Sequence, residues 1–368
     1  MNQITGQSSV AQDSKPAEHT LDDVYHLVAE EFQRVNELIP NRLTSDVEMV
    51  EEIGRYIVES GGKRLRPMLV LLSSQALGVK GDQHIHLAAI IEFLHTATLL
   101  HDDVVDNSVL RRGRATVNDR WGNAPSVLVG DFLYSRAFQL MVELASLKVM
   151  EILARATNTI AEGEVMQLAN IGNCAMSEAD YREVIRCKTA LLFEAASHTG
   201  ALLAAEQTSA PNPSAAVPSL QPTASQKQDP AQPPMQPQVQ ALKDFGLHFG
   251  MAYQLIDDWL DYAGSTEVMG KNVGDDLAEG KLTLPLIHAL RVGSAADQQT
   301  IRNAIDARSC DSMESIRRIV QTSGALEYTR QAAMAEIEQA QEQLAAVPDS
   351  PYRQALQALA QYSLSRLT

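Results

Sequence analysis

Cysteine is scarce in this chain. Cys174, Cys187 and Cys310 are odd in number and far apart, so they build neither a disulfide framework nor a CxxC metal site. That usage predicts a reduced, cytoplasmic protein. Positive charge is also short: 30 Lys and Arg stand against 46 Asp and Glu, a formal net charge of −16. A nucleic-acid partner needs a basic face, so none is expected. No run of 18 apolar residues exists, which excludes a membrane-spanning helix. The first twenty residues lack the apolar core of a signal peptide. Period-two alternation is missing too, and no window reads convincingly as a strand.

What is present is helical periodicity in a chain of 368 residues, 45% of them hydrophobic, enough to bury a substantial core. Thr20 precedes an acidic first turn, Asp22-Asp23, and reads as a helix N-cap. Leu21, Val24, Val28, Phe32, Val35 and Ile39 follow at helical spacing, and Pro40 is expected to end the helix. Further helices are predicted near 46–59, 67–77, 82–106, 125–144, 146–170, 177–204, 240–263, 281–291, 312–323, 325–347 and 350–367. The fold class is all-α.

Two stretches fall outside this pattern. Residues 1–19 read as a disordered tail. Between Gln207 and Gln240 lie eight of the fifteen prolines. This Pro- and Gln-rich segment, about 207–239, reads as a disordered insert between two helices of one domain spanning 20–368.

Two aspartate clusters carry the chemistry. Asp102-Asp103-Val104-Val105-Asp106 and Asp257-Asp258-Trp259-Leu260-Asp261 are both Asp-Asp-x-x-Asp, and each closes an apolar helical stretch. On a helix, residues four apart share a face, so Asp102 projects with Asp106, and Asp257 with Asp261. Like charges one turn apart repel unless a cation sits between them. Hard oxygen ligands favour Mg²⁺, which shares its shell with substrate phosphates. Neither cluster has the glycine and twelfth-position glutamate of an EF-hand.

Basic elements accompany them. Gly61-Gly62-Lys63-Arg64-Leu65-Arg66-Pro67 gathers three cations behind two glycines, and Pro67 can open a helix. Arg111-Arg112-Gly113-Arg114 follows the first aspartates. Lys188-Thr189, Lys271 and Lys281 lie further on. In an acidic chain, beside magnesium-type carboxylates, such cations suit diphosphates. His95 stands two helical turns before Asp102 on the same face and can donate to a phosphate oxygen. His101, His198 and His248 read as core histidines, and Trp121 and Trp259 as packing residues.

These motifs, in order and at these spacings, resemble the trans-isoprenyl diphosphate synthases. Gln254-Leu-Ile-Asp-Asp-x-x-Asp and Gly-Lys-Asn-Val-Gly-Asp-Asp add to the likeness, which runs from about Leu21 to the C-terminus without the Pro-rich insert. The stretch from Glu92 to Asp106 is most similar to bacterial members that make the C40 side chain of ubiquinone. The resemblance implies an all-helical homodimer with a central cavity and about three Mg²⁺ ions per site. It implies that Asp102, Asp106 and Asp257 are metal ligands, with Asp261 acting through water. Lys63, Arg66, His95 and Arg112 match the isopentenyl diphosphate site. Arg111, Lys188, Thr189, Gln254, Lys271 and Lys281 match the allylic diphosphate site.

The expected reaction is ionisation of an allylic diphosphate, farnesyl diphosphate for this branch, followed by coupling to isopentenyl diphosphate. It needs no side-chain nucleophile, and no nucleophile–His–acid arrangement is present. In the family, bulky aromatics at the positions of Ala97 and Thr98 stop short products; both are small here. The 25 residues from Asp82 to Asp106 give a helix of ~37 Å along which a long tail can lie. A C40 product is therefore expected, released by transient membrane contact, since no basic amphipathic helix or lipid anchor is evident. The alternatives are a C20–C25 or nonaprenyl synthase, a terpene cyclase, and a non-catalytic subunit of a heteromeric synthase. Cyclases need no second diphosphate site, and non-catalytic subunits usually lose one aspartate cluster; here both features are intact.

Overall fold

The computed structural model describes residues 20–209, 235–264 and 274–367. The expected tail, most of the Pro-rich segment and Lys271 lie outside the described residues.

The chain opens with α1 (Leu21–Leu27) and α2 (Ala29–Arg42), separated by a break at Val28. Thr20 caps α1 as expected, in a reciprocal capping box with Asp23. Pro40 does not end the helix. It sits inside the last turn of α2, where the missing N–H costs one bond and the chain still reaches Arg42. Then come α3 (Glu48–Glu59), α4 (Leu65–Ala76) and α5 (Gln83–Val105). Pro67 falls in the first turn of α4, where no N–H is needed.

After α5 the chain forms a feature absent from the periodicity: a two-stranded antiparallel hairpin, β1 (Leu110–Arg111) and β2 (Arg114–Ala115). Its turn residues Arg112 and Gly113 both have positive φ, 53° and 74°. That is the requirement of a two-residue turn matched to strand twist. Next follow α6 (Val117–Trp121), α7 (Asn123–Leu144), α8 (Leu147–Ala169) and α9 (Glu178–Ile185). The expected single helix over 177–204 is interrupted by a π-helical turn, Arg186–Ala190, before α10 (Leu191–Ser209). α11 (Pro237–Ala263) begins on Pro237, so helix reaches into both flanks of the Pro-rich segment.

The C-terminal part holds α12 (Asp275–Ala278), α13 (Leu284–Val292), α14 (Ala295–Ala307), α15 (Met313–Thr322), α16 (Ala325–Gln343) and α17 (Pro351–Ser365). α14 has no counterpart in the sequence reading. Its buried face is only Ile301, Ala304 and Ile305, and its start is set by a Ser294–Asp297 capping box.

Two apolar clusters form the interior. The first gathers residues of α1 to α5, α7, α8, α10 and the N-terminal half of α11, closed by α16 and α17. The second gathers α9, the C-terminal half of α11 and α13 to α16. α11 joins them: Phe245 and Phe249 belong to the first, Leu255 and Ile256 to the second. α5 is apolar nearly all round and is buried through the first cluster, which explains why its hydrophobic run ends only at the aspartates. Among the described residues no helix is long and apolar enough to cross a membrane.

Candidate active site

α5 and α11 each end in an Asp-Asp-x-x-Asp sequence, and Asp102, Asp106 and Asp257 open into one cleft of about 350 Å³. Asp102, Asp106, Asp257, Lys188, Lys281 and Arg112 all line it. A helix C-terminus carries partial negative charge, so carboxylates there need cations nearby. Each of these three has one. Lys188 Nζ lies 3.7 Å from Asp102, and Lys281 Nζ lies 2.9 Å from Asp106. Arg366, just beyond α17, donates to Asp257 at 2.7 Å. Burial pulls the Lys281 ammonium down, but Asp106, Glu279 and Asp276 outweigh it and hold the group above its ordinary range.

The middle aspartates are both buried, Asp258 within the cleft wall. Asp103 is 3% exposed and accepts from Arg111 Nε at 2.7 Å, fixing that guanidinium beside the cleft. Asp258 is 2% exposed and accepts from Gln254 Nε2 at 2.7 Å. Gln254 Oε1 in turn accepts from Thr189 at 2.7 Å. Asp261 is fully buried below the cleft and accepts from the Gly274 N–H at 3.2 Å. It does not line the cleft with Asp257.

Lys188 sits on the π-helical turn. Nζ donates to Glu164 at 2.6 Å and to Gln167 at 2.8 Å, both on α8. Burial, with Asp102 next to it, pushes the Glu164 carboxyl up to about 7 against the pull of Lys188. The Gly280-Lys281 turn likewise brings Glu279 against Lys281, and burial pushes that carboxyl up to about 7.

The second basic group gathers on the other flank. Arg66 stacks on the Phe193 ring at 4.0 Å, and Nη1 donates to His95 Nε2 at 3.2 Å. Burial, then Arg66 and Arg112, hold His95 well below the usual imidazole range. The ring is neutral, with Nε2 accepting, so Nδ1 carries the proton. Burial lowers Arg66 itself to about 10. Arg112, at the hairpin tip, bonds the Gly61 carbonyl. Gly62 must be glycine there: φ is 141°, and a Cβ would sit 2.4 Å from the Arg112 guanidinium. Lys63 is exposed outside the cleft wall, 5.3 Å from the Tyr362 ring centre on α17.

Thr98 lines the cleft one turn before Asp102, its hydroxyl bonded to the His95 carbonyl at 2.8 Å. Ala97 is fully buried on a neighbouring face of α5 and does not line the cleft. Of the histidines read as core, His198 is buried. His101 is instead partly exposed beside Asp131, and His248 bonds Glu336. Sequence reasoning missed Glu164, Gln167, Asp276 and Tyr253, which also line the cleft, and Arg366. Their partners lie far away along the chain. A signal existed for Glu164 and Gln167, which are spaced on α8 to share one face.

The cleft and its motifs define a class. The sequence model of the polyprenyl synthetases matches residues 47–221 and 230–323, and the chain belongs to that family. It is 45% identical to the octaprenyl diphosphate synthase of Escherichia coli (strain K12) over 94% of this chain and 99% of the relative. It is 43% identical to the octaprenyl diphosphate synthase of Haemophilus influenzae over 94% of this chain and 97% of the relative. A polyprenyl synthase from Caulobacter crescentus, solved with calcium and isoprenyl diphosphate, superposes with a TM-score of 0.85 at 40% identity, covering 96% and 100% of the two chains.

Proposed function

We propose that the chain is a long-chain trans-polyprenyl transferase that extends farnesyl diphosphate with isopentenyl diphosphate to octaprenyl diphosphate, the C40 side chain of ubiquinone in this branch. The observation that supports this most is the cleft: two carboxylate-bearing helix ends and two separate groups of cations face one space. The 45% identity to an octaprenyl diphosphate synthase supports the C40 product.

Asp102, Asp106 and Asp257 fit Mg²⁺. All three are hard oxygen donors, and each lies against a cation that a metal–diphosphate complex would displace. Among the described residues no three acidic, His or Cys side chains converge closely enough to hold an ion alone, so an ion held by these aspartates would need further oxygen donors. An ion held by Asp102, Asp106 and Asp257 would supply positive charge to the leaving diphosphate. Lys188, Lys281 and Arg111 add fixed positive charge where the departing oxygen becomes negative, and Lys271 is assigned the same role from its motif. The C–O bond breaks with its electron pair on the diphosphate, leaving an allylic cation. Arg66, Arg112 and neutral His95 hold isopentenyl diphosphate so that its double bond faces that carbon. Coupling and loss of a proton lengthen the chain by five carbons.

Residues 20–368 serve one reaction, because both aspartate motifs face the same cleft. A homodimer is also part of this reading. Leu128 and Val142 on α7, and Leu147, Val165 and Leu168 on α8, are all more than half exposed and leave an apolar face unpartnered. The enzyme works in the cytoplasm, and its product leaves by brief membrane contact.

The test is incorporation of labelled isopentenyl diphosphate into organic-extractable product. Incorporation should require farnesyl diphosphate and Mg²⁺ and stop with chelator. Folded protein that incorporates nothing under these conditions would contradict the reading.

A further inference from the structure

We propose that Tyr181 is a positioning residue for the allylic diphosphate, acting through Asp258 on Gln254 and Thr189; the proposal rests on the reading of the cleft given above. Tyr181 lies on α9 and is 3% exposed. Its hydroxyl donates to Asp258 Oδ2 at 2.5 Å. The other oxygen of Asp258 accepts from Gln254 Nε2 at 2.7 Å, and Gln254 Oε1 accepts from Thr189 Oγ1 at 2.7 Å. The line thus runs from α9, through α11, to the π-helical turn that also carries Lys188.

The direction of each bond follows from the groups. Asp258 is acceptor-only when ionised, so the Gln254 amide must turn its NH₂ toward it. The amide oxygen then faces Thr189, whose hydroxyl donates. One Gln254 N–H remains, on a residue that lines the cleft next to Lys188 and Thr189. An amide not held this way is free to flip, presenting an oxygen to a diphosphate and repelling it. Tyr181 sets the Asp258 carboxylate, and so sets which end of Gln254 a diphosphate meets. Both oxygens of Asp258 are engaged in this line, at the wall of the cleft that Tyr181 also lines. No part of this line touches Arg66, His95 or Arg112, so the isopentenyl diphosphate flank should not respond.

The test measures both substrates. Tyr181→Phe should weaken binding of farnesyl diphosphate by about fivefold, the scale of one lost hydrogen bond. That affinity is read by calorimetry with isopentenyl diphosphate absent, and again as KM. The KM for isopentenyl diphosphate should stay within about twofold. In a Gln254→Ala background, adding Tyr181→Phe should change farnesyl diphosphate affinity by less than about twofold, because the residue Tyr181 acts through is gone. If Tyr181→Phe does not fold, Asp258→Asn carries the same comparison, with the loss again confined to farnesyl diphosphate. An equal loss for both substrates, or a full Tyr181→Phe effect persisting without Gln254, would overturn the proposal. Wild-type turnover of the two substrates tests the functional reading separately, since the relay is read from ratios of variant to wild type.

Discussion

At Glu92 a carboxylate is buried beneath the isopentenyl diphosphate flank, 8% exposed, with one oxygen 3.8 Å from Arg64 and the other without a hydrogen-bond partner. Burial raises its pKa, against the pull of Arg64, Arg112 and Arg66. Stability gives little reason to bury a charge so poorly paired, so its use lies in gathering those arginines. Glu92→Gln should raise the KM for isopentenyl diphosphate by about tenfold while leaving that for farnesyl diphosphate within about twofold; steady-state kinetics with each substrate varied checks this. The two small residues before Asp102 should separate in a different way. Thr98→Phe puts an aromatic ring into the cleft and should shorten the product. Ala97→Phe overpacks a closed core and should cost about 1–3 kcal/mol, seen as a lower Tm, before it affects chain length. Product mass and thermal unfolding of both variants distinguish the cases. At this scale much was legible. Carboxylates and cations that break apolar periodicity announce themselves, and Asp102, Asp106, Asp257, Lys188 and Lys281 do share one cleft. Glu92, Tyr181 and Arg366 were not legible, because each derives its meaning from a partner across the fold rather than along the chain.

Elements add constraints that single residues do not show. The π-helical turn 186–190 swings Lys188 and Thr189 toward the cleft, and Gly163 on α8 makes room for it. A Cβ at Gly163 would lie 2.8 Å from Cys187 Cβ and 2.9 Å from the Lys188 nitrogen. Gly163→Ala gains about 1 kcal/mol of helix propensity but must push this turn aside. We expect kcat to fall by at least about tenfold from a misplaced Lys188, with secondary structure by circular dichroism unchanged. Most helices were legible, since their apolar faces repeat over several turns. The hairpin was not, because strands of two residues are too short for alternation to register. The break at Val28 and the π-helical turn preserve the apolar repeat on both sides, so periodicity runs through them unmarked. Pro40 misled in the other direction: proline forbids a bond, not the last turn of a helix.

For the whole molecule, pH and assembly give the measurable consequences. His198 is buried in α10, and burial, then Lys243, lower its pKa from 6.5 to about 4. Between those values the unfolded chain binds the proton and the folded chain does not. Stability from this group is complete above pH 6.5 and is lost as pH falls toward 4, up to about 3 kcal/mol. Urea unfolding of His198→Gln against wild type should show a shallower loss over that window. The apolar face on α7 and α8 predicts a dimer in solution. Leu128→Glu combined with Val165→Glu should halve the mass measured by analytical ultracentrifugation; an unchanged mass would place the interface elsewhere.

The central claim is that a small residue at Thr98, one turn before the first aspartates, lets a long chain grow in this cleft. The measurement that meets it most directly is the mass of the product made by the purified wild-type chain from farnesyl diphosphate, excess isopentenyl diphosphate and Mg²⁺. The account predicts a C40 product that disappears with chelator. Products that stop at C20 would leave the chemistry standing and contradict the assignment of chain length.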